Sequence, residues 1–310
     1  MNLTWATSVS AGALHAARAL LSGRRLFDRA LAAAIRPPTE ALTAAIADSG
    51  CPADAVWQHL LPLAASQAAD HDSSHHPASG LPAADLETIS RDLASRVLTQ
   101  IGPPVSPPAV DRLGHALAGL EQAFVAAQPR VANELPLRRE PLRSQWEARG
   151  PGLLLGVRQL TSADWLVPSA AVVLLPPVLG GAGQAHPTYN VVTFEAVLAN
   201  PIAQLPEVLR LGWLLAQLNP ALAGDTPEPA ASGWRRAAPW ALLAAVLAAA
   251  EDVELAAADP SHLHLAAAEW LGDPAAAGTL WHWWQDYATR RPGWPAGLEA
   301  LDRLLSLPKT

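Results

Sequence analysis

Three groups of residues carry side chains that could do chemistry. The first is a histidine cluster: Asp70, His71, Asp72, His75 and His76 fall within seven residues. Imidazole and carboxylate are reasonable ligands for zinc or nickel. The surrounding run is rich in Ser and Pro and preorganises nothing, so it reads as a solvated surface loop, and no bound metal or cofactor is expected.

The second group is aromatic. The chain has 12 Trp against 3 Phe and 2 Tyr, and Trp270, Trp281, Trp283, Trp284, Tyr287 and Trp294 crowd the C-terminal quarter. Trp281 with Trp284, and Trp283 with Tyr287, share helix faces at i,i+3 and i,i+4 spacing. Such clusters can form ligand or partner surfaces. They also fill the gaps between alanine-rich helices, the plainer expectation for a side chain that is usually buried.

The third group follows the glycine run Gly180-Gly181-Ala182-Gly183. His186, Tyr189, Asn190 and Glu195 lie on or beside a β-branched stretch. Asn200-Pro201 then leads into a helix opening Pro206-Glu207-Val208-Leu209-Arg210, and a later helix carries Glu251, Asp252 and Glu254. This strand–helix–acidic-helix order resembles the zincin metallopeptidases, whose helix bears H-E-x-x-H and whose third ligand is often acidic. Only Glu207 matches that motif. Pro206 and Arg210 stand where the zinc-binding histidines would be, so the resemblance implies a degenerate scaffold without zinc and without an activated water. Read without it, Glu207 suits the first turn of its helix, where the dipole favours a carboxylate, and pairs with Arg210 one turn on. If the scaffold is a relic, His186, Tyr189, Asn190, Glu195, Glu207, Arg210 and Glu251 are its candidate pocket, with Glu207 facing Glu251.

Other chemistries find no support. No G-x-S-x-G occurs, and the glycine run lacks the G-x-G-x-x-G spacing of a dinucleotide loop. The sole lysine is Lys309, which leaves no lysine for a P-loop or a Schiff base. The single cysteine, Cys51, excludes an intrachain disulfide and a Cys-based zinc site.

The elements that must position these groups are mostly helices. Apolar spacing predicts helices over residues 9–35, ended by Pro37-Pro38, then to Gly50 with Thr39 as cap, 52–69, 82–101 and 107–128. The pattern weakens from 129 to 141, a candidate boundary. Short helices follow at 142–149 and 151–160. Residues 170–175 and 189–197 give the strand signal. Helices resume at 205–219 and 237–258. Asp259-Pro260 and Asp273-Pro274 each pair an N-cap with an N1 proline. A last helix is expected at 295–307.

The expected fold class is therefore mainly α: a helical part, residues 1–128, then an α+β part, 129–310, with a small antiparallel sheet at about residues 170–197. The two can equally be one continuous domain. Half of the 310 residues are hydrophobic, enough for a substantial core. The net charge is −7 and the arginine pairs are isolated, which argues against nucleic acid. The apolar run 237–250 is too short for a bilayer of about 30 Å at ~1.5 Å per residue, and no positive n-region opens the chain, so a soluble cytoplasmic protein is expected. With every common catalytic set missing or broken, the sequence points to a non-catalytic interaction or scaffold protein with a protein partner. The alternatives are the zinc-less zincin-like scaffold and a small-ligand module built on the tryptophans.

Overall fold

Residues 170–175 are apolar at successive positions, a pattern that needs cover on both faces of a strand. A computed structural model, which describes residues 1–72, 83–102, 106–223 and 232–306, shows helices on both sides. The chain is mainly α-helical and, among the described residues, has one small sheet of four strands in the order β1-β2-β4-β3.

β1 (Asn2–Thr7) runs parallel to β2 (Ser169–Leu175), pairing Asn2 with Ser169 and Thr7 with Leu174. β2 runs parallel to β4 (Val191–Glu195). Only β3 (Gly183–His186), at the edge, is antiparallel to its neighbour β4. The sheet is thus mixed, whereas the local pattern of 170–197 predicted an antiparallel one. The cause lies outside that window: β1 comes from the far end of the chain, and β4 rather than β3 takes the place beside β2.

One face of the sheet packs against α1 (Val9–Leu21) and α3 (Ala53–Asp72), and α2 (Arg29–Asp48), α4 (Ala83–Ile101) and α5 (Pro107–Ala127) complete the core behind them. Ala6, Val173, Leu175 and Val191 point that way. Trp5, Val172, Leu174, Val192 and Phe194 point to the other side. That side is built from α6 (Val131–Leu160), α7 (Glu207–Ala216), α8 (Ser232–Asp252), α9 (Pro260–Ala266), α10 (Ala277–Arg290) and α11 (Trp294–Ser306). Two cores therefore share one sheet as their wall, and the sheet draws strands from both sides of residue 128.

Several boundaries differ from the sequence pattern. The first break falls at residues 22–28, where Asp28 caps α2 through the amides of Ala30 and Leu31 at 2.8 and 3.1 Å. Pro37 and Pro38, expected to end a helix, lie inside α2, and Thr39 sends its hydroxyl back to the Ile35 carbonyl at 2.7 Å instead of capping. α6 likewise contains Pro136, Pro141 and Pro151. Packing of the apolar faces holds these helices together against the missing amide donors. The Asp259 cap, which accepts from Ser261 N and His262 N, and the Asp273 cap, which accepts from Ala275 N, lie at their sequence positions. Among the described residues no helix is long and apolar enough to cross a membrane.

Candidate functional site

The polar residues gather at the carboxyl ends of the parallel strands. Glu195 is the last residue of β4 and is fully buried. The segment after β2 turns back on itself before β3, and its amides have no strand partner. Gly180 and Gly181 make that turn at φ +81° and +116°, values that side-chain-bearing residues rarely adopt. The turn aims four amides at one carboxylate. Val178 N and Leu179 N donate to Glu195 Oε1 at 3.1 and 2.8 Å, and Gly181 N and Ala182 N to Oε2 at 2.6 and 3.1 Å. His15 Nε2, from α1, completes the set at 3.0 Å from Oε1.

This saturation decides the protonation state. Burial alone would raise the Glu195 carboxyl. The His15 hydrogen bond and charge, with the amides of Gly181 and Ala182, hold it below the ordinary carboxylate range. On the same face of the sheet, from the far end of β3, His186 Nε2 shares a hydrogen bond with Thr193 Oγ1 at 3.0 Å. Burial, then the charges of Arg18 and His15, push His186 down to about 3, so it is neutral at physiological pH.

On the other side of the sheet Glu207 and Arg210 form a buried ion pair in the first turn of α7. Arg210 also lies over the Phe194 ring, 4.4 Å from its centroid, which suits a desolvated guanidinium. Its Nε is buried without a hydrogen-bond partner. Asn200 Oδ1 takes the Glu207 amide at 3.1 Å. Burial drives the Glu207 carboxyl up to about 7, against the pull of Arg210, with the Glu195 charge adding to the rise. Burial in turn lowers Arg210, opposed by Glu207 and Glu195.

Of the pocket residues named from sequence, Glu195, Glu207 and Arg210 come together here, while His186 pairs with Val191 at the start of β4 and its ring reaches Thr193. The others do not join them. Tyr189 and Asn190 precede β4, at its opposite end. Tyr189 bonds His59 and Gln100, and Asn190, at φ 52°, donates to the Ser169 carbonyl at 2.7 Å. Glu251 is exposed near the end of α8, with Ala258 N 3.5 Å from its carboxylate. The acidic neighbour that acts on Glu207 is Glu195. His15 gave no sequence signal beyond a lone histidine in an alanine-rich helix.

The aromatic residues occupy the second core. Trp283, Trp284, Tyr287 and Trp294 are buried, and Trp270 and Trp281 half-buried. Trp283 stacks on Tyr287 at 5.3 Å between centroids, and Tyr287 meets Trp294 edge-on at 5.5 Å. The cavity beside Trp281 and Trp284 is about 10 Å³, no more than room for one water.

His75 and His76 lie outside the described residues, and only the helical backbone of His71 and Asp72 is described. Among the described residues no group of three or more His, Cys, Asp or Glu is placed to hold a metal. No family model, curated protein or solved structure matches this chain.

Proposed function

We propose that this is a non-catalytic interaction protein that meets its partner with the carboxyl end of the sheet. The polar groups there are spent on holding the chain: Glu195 has five donors, and Glu207 is closed onto Arg210. Their product is a rigid turn. The observation that carries the reading is what surrounds it. The three most exposed large apolar side chains among the described residues are Phe27 at 74%, Leu137 at 74% and Leu198 at 64%, and all are tied to this end. The Phe27 ring covers Gly180, and its amide bonds the Val178 carbonyl at 3.1 Å. Leu137 adjoins Arg138, whose Nη1 donates to the Ala196 carbonyl at 3.3 Å, two residues before Leu198. Apolar groups left in water on a well-held frame support an interaction surface at this end.

The test uses Leu137→Asp and Leu198→Asp, which alter exposed positions only. Each should keep the wild-type thermal midpoint and lose partners recovered by the wild-type protein from its own cells. Partner recovery unchanged in both variants would overturn the reading. So would peptide or ester hydrolysis by the purified protein that Glu207→Gln abolishes.

The alternative, a zinc-less zincin-like scaffold, is supported by the succession of β4 and α7 with Glu207 buried in the first turn of α7. The position of Glu251 gives it no third acidic group.

A further inference from the structure

The connections leaving β1 and β4 go to opposite faces of the sheet. β1 runs into α1 on one core, and β4 leads to α7 on the other. β2 lies between them and sends no helix to either face. In open sheets with parallel strands, a crevice forms above the strand where the connections diverge, and ligands settle there. Such a crevice is present. A cavity of about 380 Å³ opens above the end of β2, walled by Pro176 and Pro177 and by the turn from α5 into α6.

We propose that this crevice binds a small organic anion: a carboxylate carried on a compact apolar body. The volume lies in the range of small-molecule sites, which are mostly apolar with a few placed polar groups. Here the apolar walls are Pro129, Val131, Leu135, Pro176 and Pro177. They are fixed in advance. Gly12 in α1 packs so closely on Pro176 that a Cβ there would come within 2.4 Å of the ring. The polar groups are Arg130, Arg138 and Glu134, with the Gln128 amide. Arg138 Nη1 donates to the Ala196 carbonyl at 3.3 Å, and its Nη2 lies 3.6 Å from Glu134. Arg130 has no side-chain partner among the described residues, so the crevice carries one unbalanced positive charge. That charge favours an anion over a neutral or cationic ligand of the same shape. The crevice adjoins the surface of Phe27, Leu137 and Leu198 through Arg138, but the proposal does not depend on a protein partner there.

Isothermal titration calorimetry with 4-phenylbutyrate, its neutral amide and inorganic phosphate tests the proposal. The acid should bind at one saturable site in the millimolar range or tighter. Arg130→Gln, at an exposed position, should keep the thermal midpoint and weaken the acid about tenfold. The amide should lose a similar factor, and phosphate should bind more weakly than the acid because it leaves the walls uncovered. Val131→Phe, which fills the cavity, should abolish binding. Equal affinity for acid and amide, no effect of Arg130→Gln, or no saturable binding of the acid would each overturn the proposal. Phosphate as tight as the acid would remove the apolar body from it.

Discussion

The carboxylate cradle around Glu195 and the aromatic cluster around Trp283 are both buried, and both carry residues that could have formed an active site. They hold the fold by opposite means. The cradle works through direction: four amides and one imidazole converge on two oxygens. The cluster works through area, with rings stacked and edge-on across α10 and α11. A directional site should tolerate loss of volume better than loss of charge. An area-based site should show the reverse.

The largest expected effect is in the cluster. Trp283→Ala removes a buried ring and its bond to the Gly297 carbonyl, and should cost about 3–5 kcal/mol, read by calorimetry or denaturant titration. A cost below about 1 kcal/mol would mean that the rings do not carry this core.

Next comes Glu195→Gln, which keeps the shape and deletes the charge. Loss of a charged acceptor for several buried donors should cost roughly 2–3 kcal/mol at neutral pH. The folded-state carboxyl titrates below its ordinary value, so its contribution is present above about pH 4.5 and is lost as pH falls further. The penalty of the substitution should shrink with acidification. A near-neutral Glu195→Gln would erase the contrast between the two regions.

Glu207→Gln should produce a smaller, pH-dependent change. The Glu207 carboxyl is raised to about 7, so the folded state holds its proton where the unfolded chain has released it. The stability this gives is full below about pH 4.5 and is lost as pH rises through 7. Glutamine does not titrate, so the variant should gain on the wild type between pH 5 and 8. A difference in thermal midpoint that stays flat, or moves the other way, would mean that Arg210 outweighs burial.

Trp294→Phe should have the smallest effect. Trp294 Nε1 is buried without an acceptor, so the change loses area but also removes an unsatisfied donor, for a net effect within about 1 kcal/mol. A loss above about 2 kcal/mol would show that the indole is held by more than its area.

The legible parts of this fold were those with local causes. Asp259 and Asp273 cap the elements that follow them, and Glu207 pairs with Arg210 one turn on. The apolar runs at 170–175 and 189–197 mark β2 and β4 closely. Distant causes were illegible. In β1 the alternation of Leu3 and Trp5 with Asn2 and Thr4 is too short to mark a strand by itself, and its register with β2 decides it. The prolines of α2 and α6 gave the wrong breaks because the sequence shows the lost hydrogen bond and not the packing that outweighs it. In the site, the glycine run marked the turn, but nothing showed that its amides close on Glu195. Nor did spacing reveal His15, which reaches that carboxylate across 180 positions.

The pairing of Asn2 with Ser169 also sets a schedule for biosynthesis. At about 5–20 residues per second, β1 leaves the ribosome roughly 10–30 s before its neighbour exists. Until then its backbone has no ladder to join, and the first five helices must assemble with one wall of their core missing. The nascent chain should therefore depend on chaperone cover over that interval.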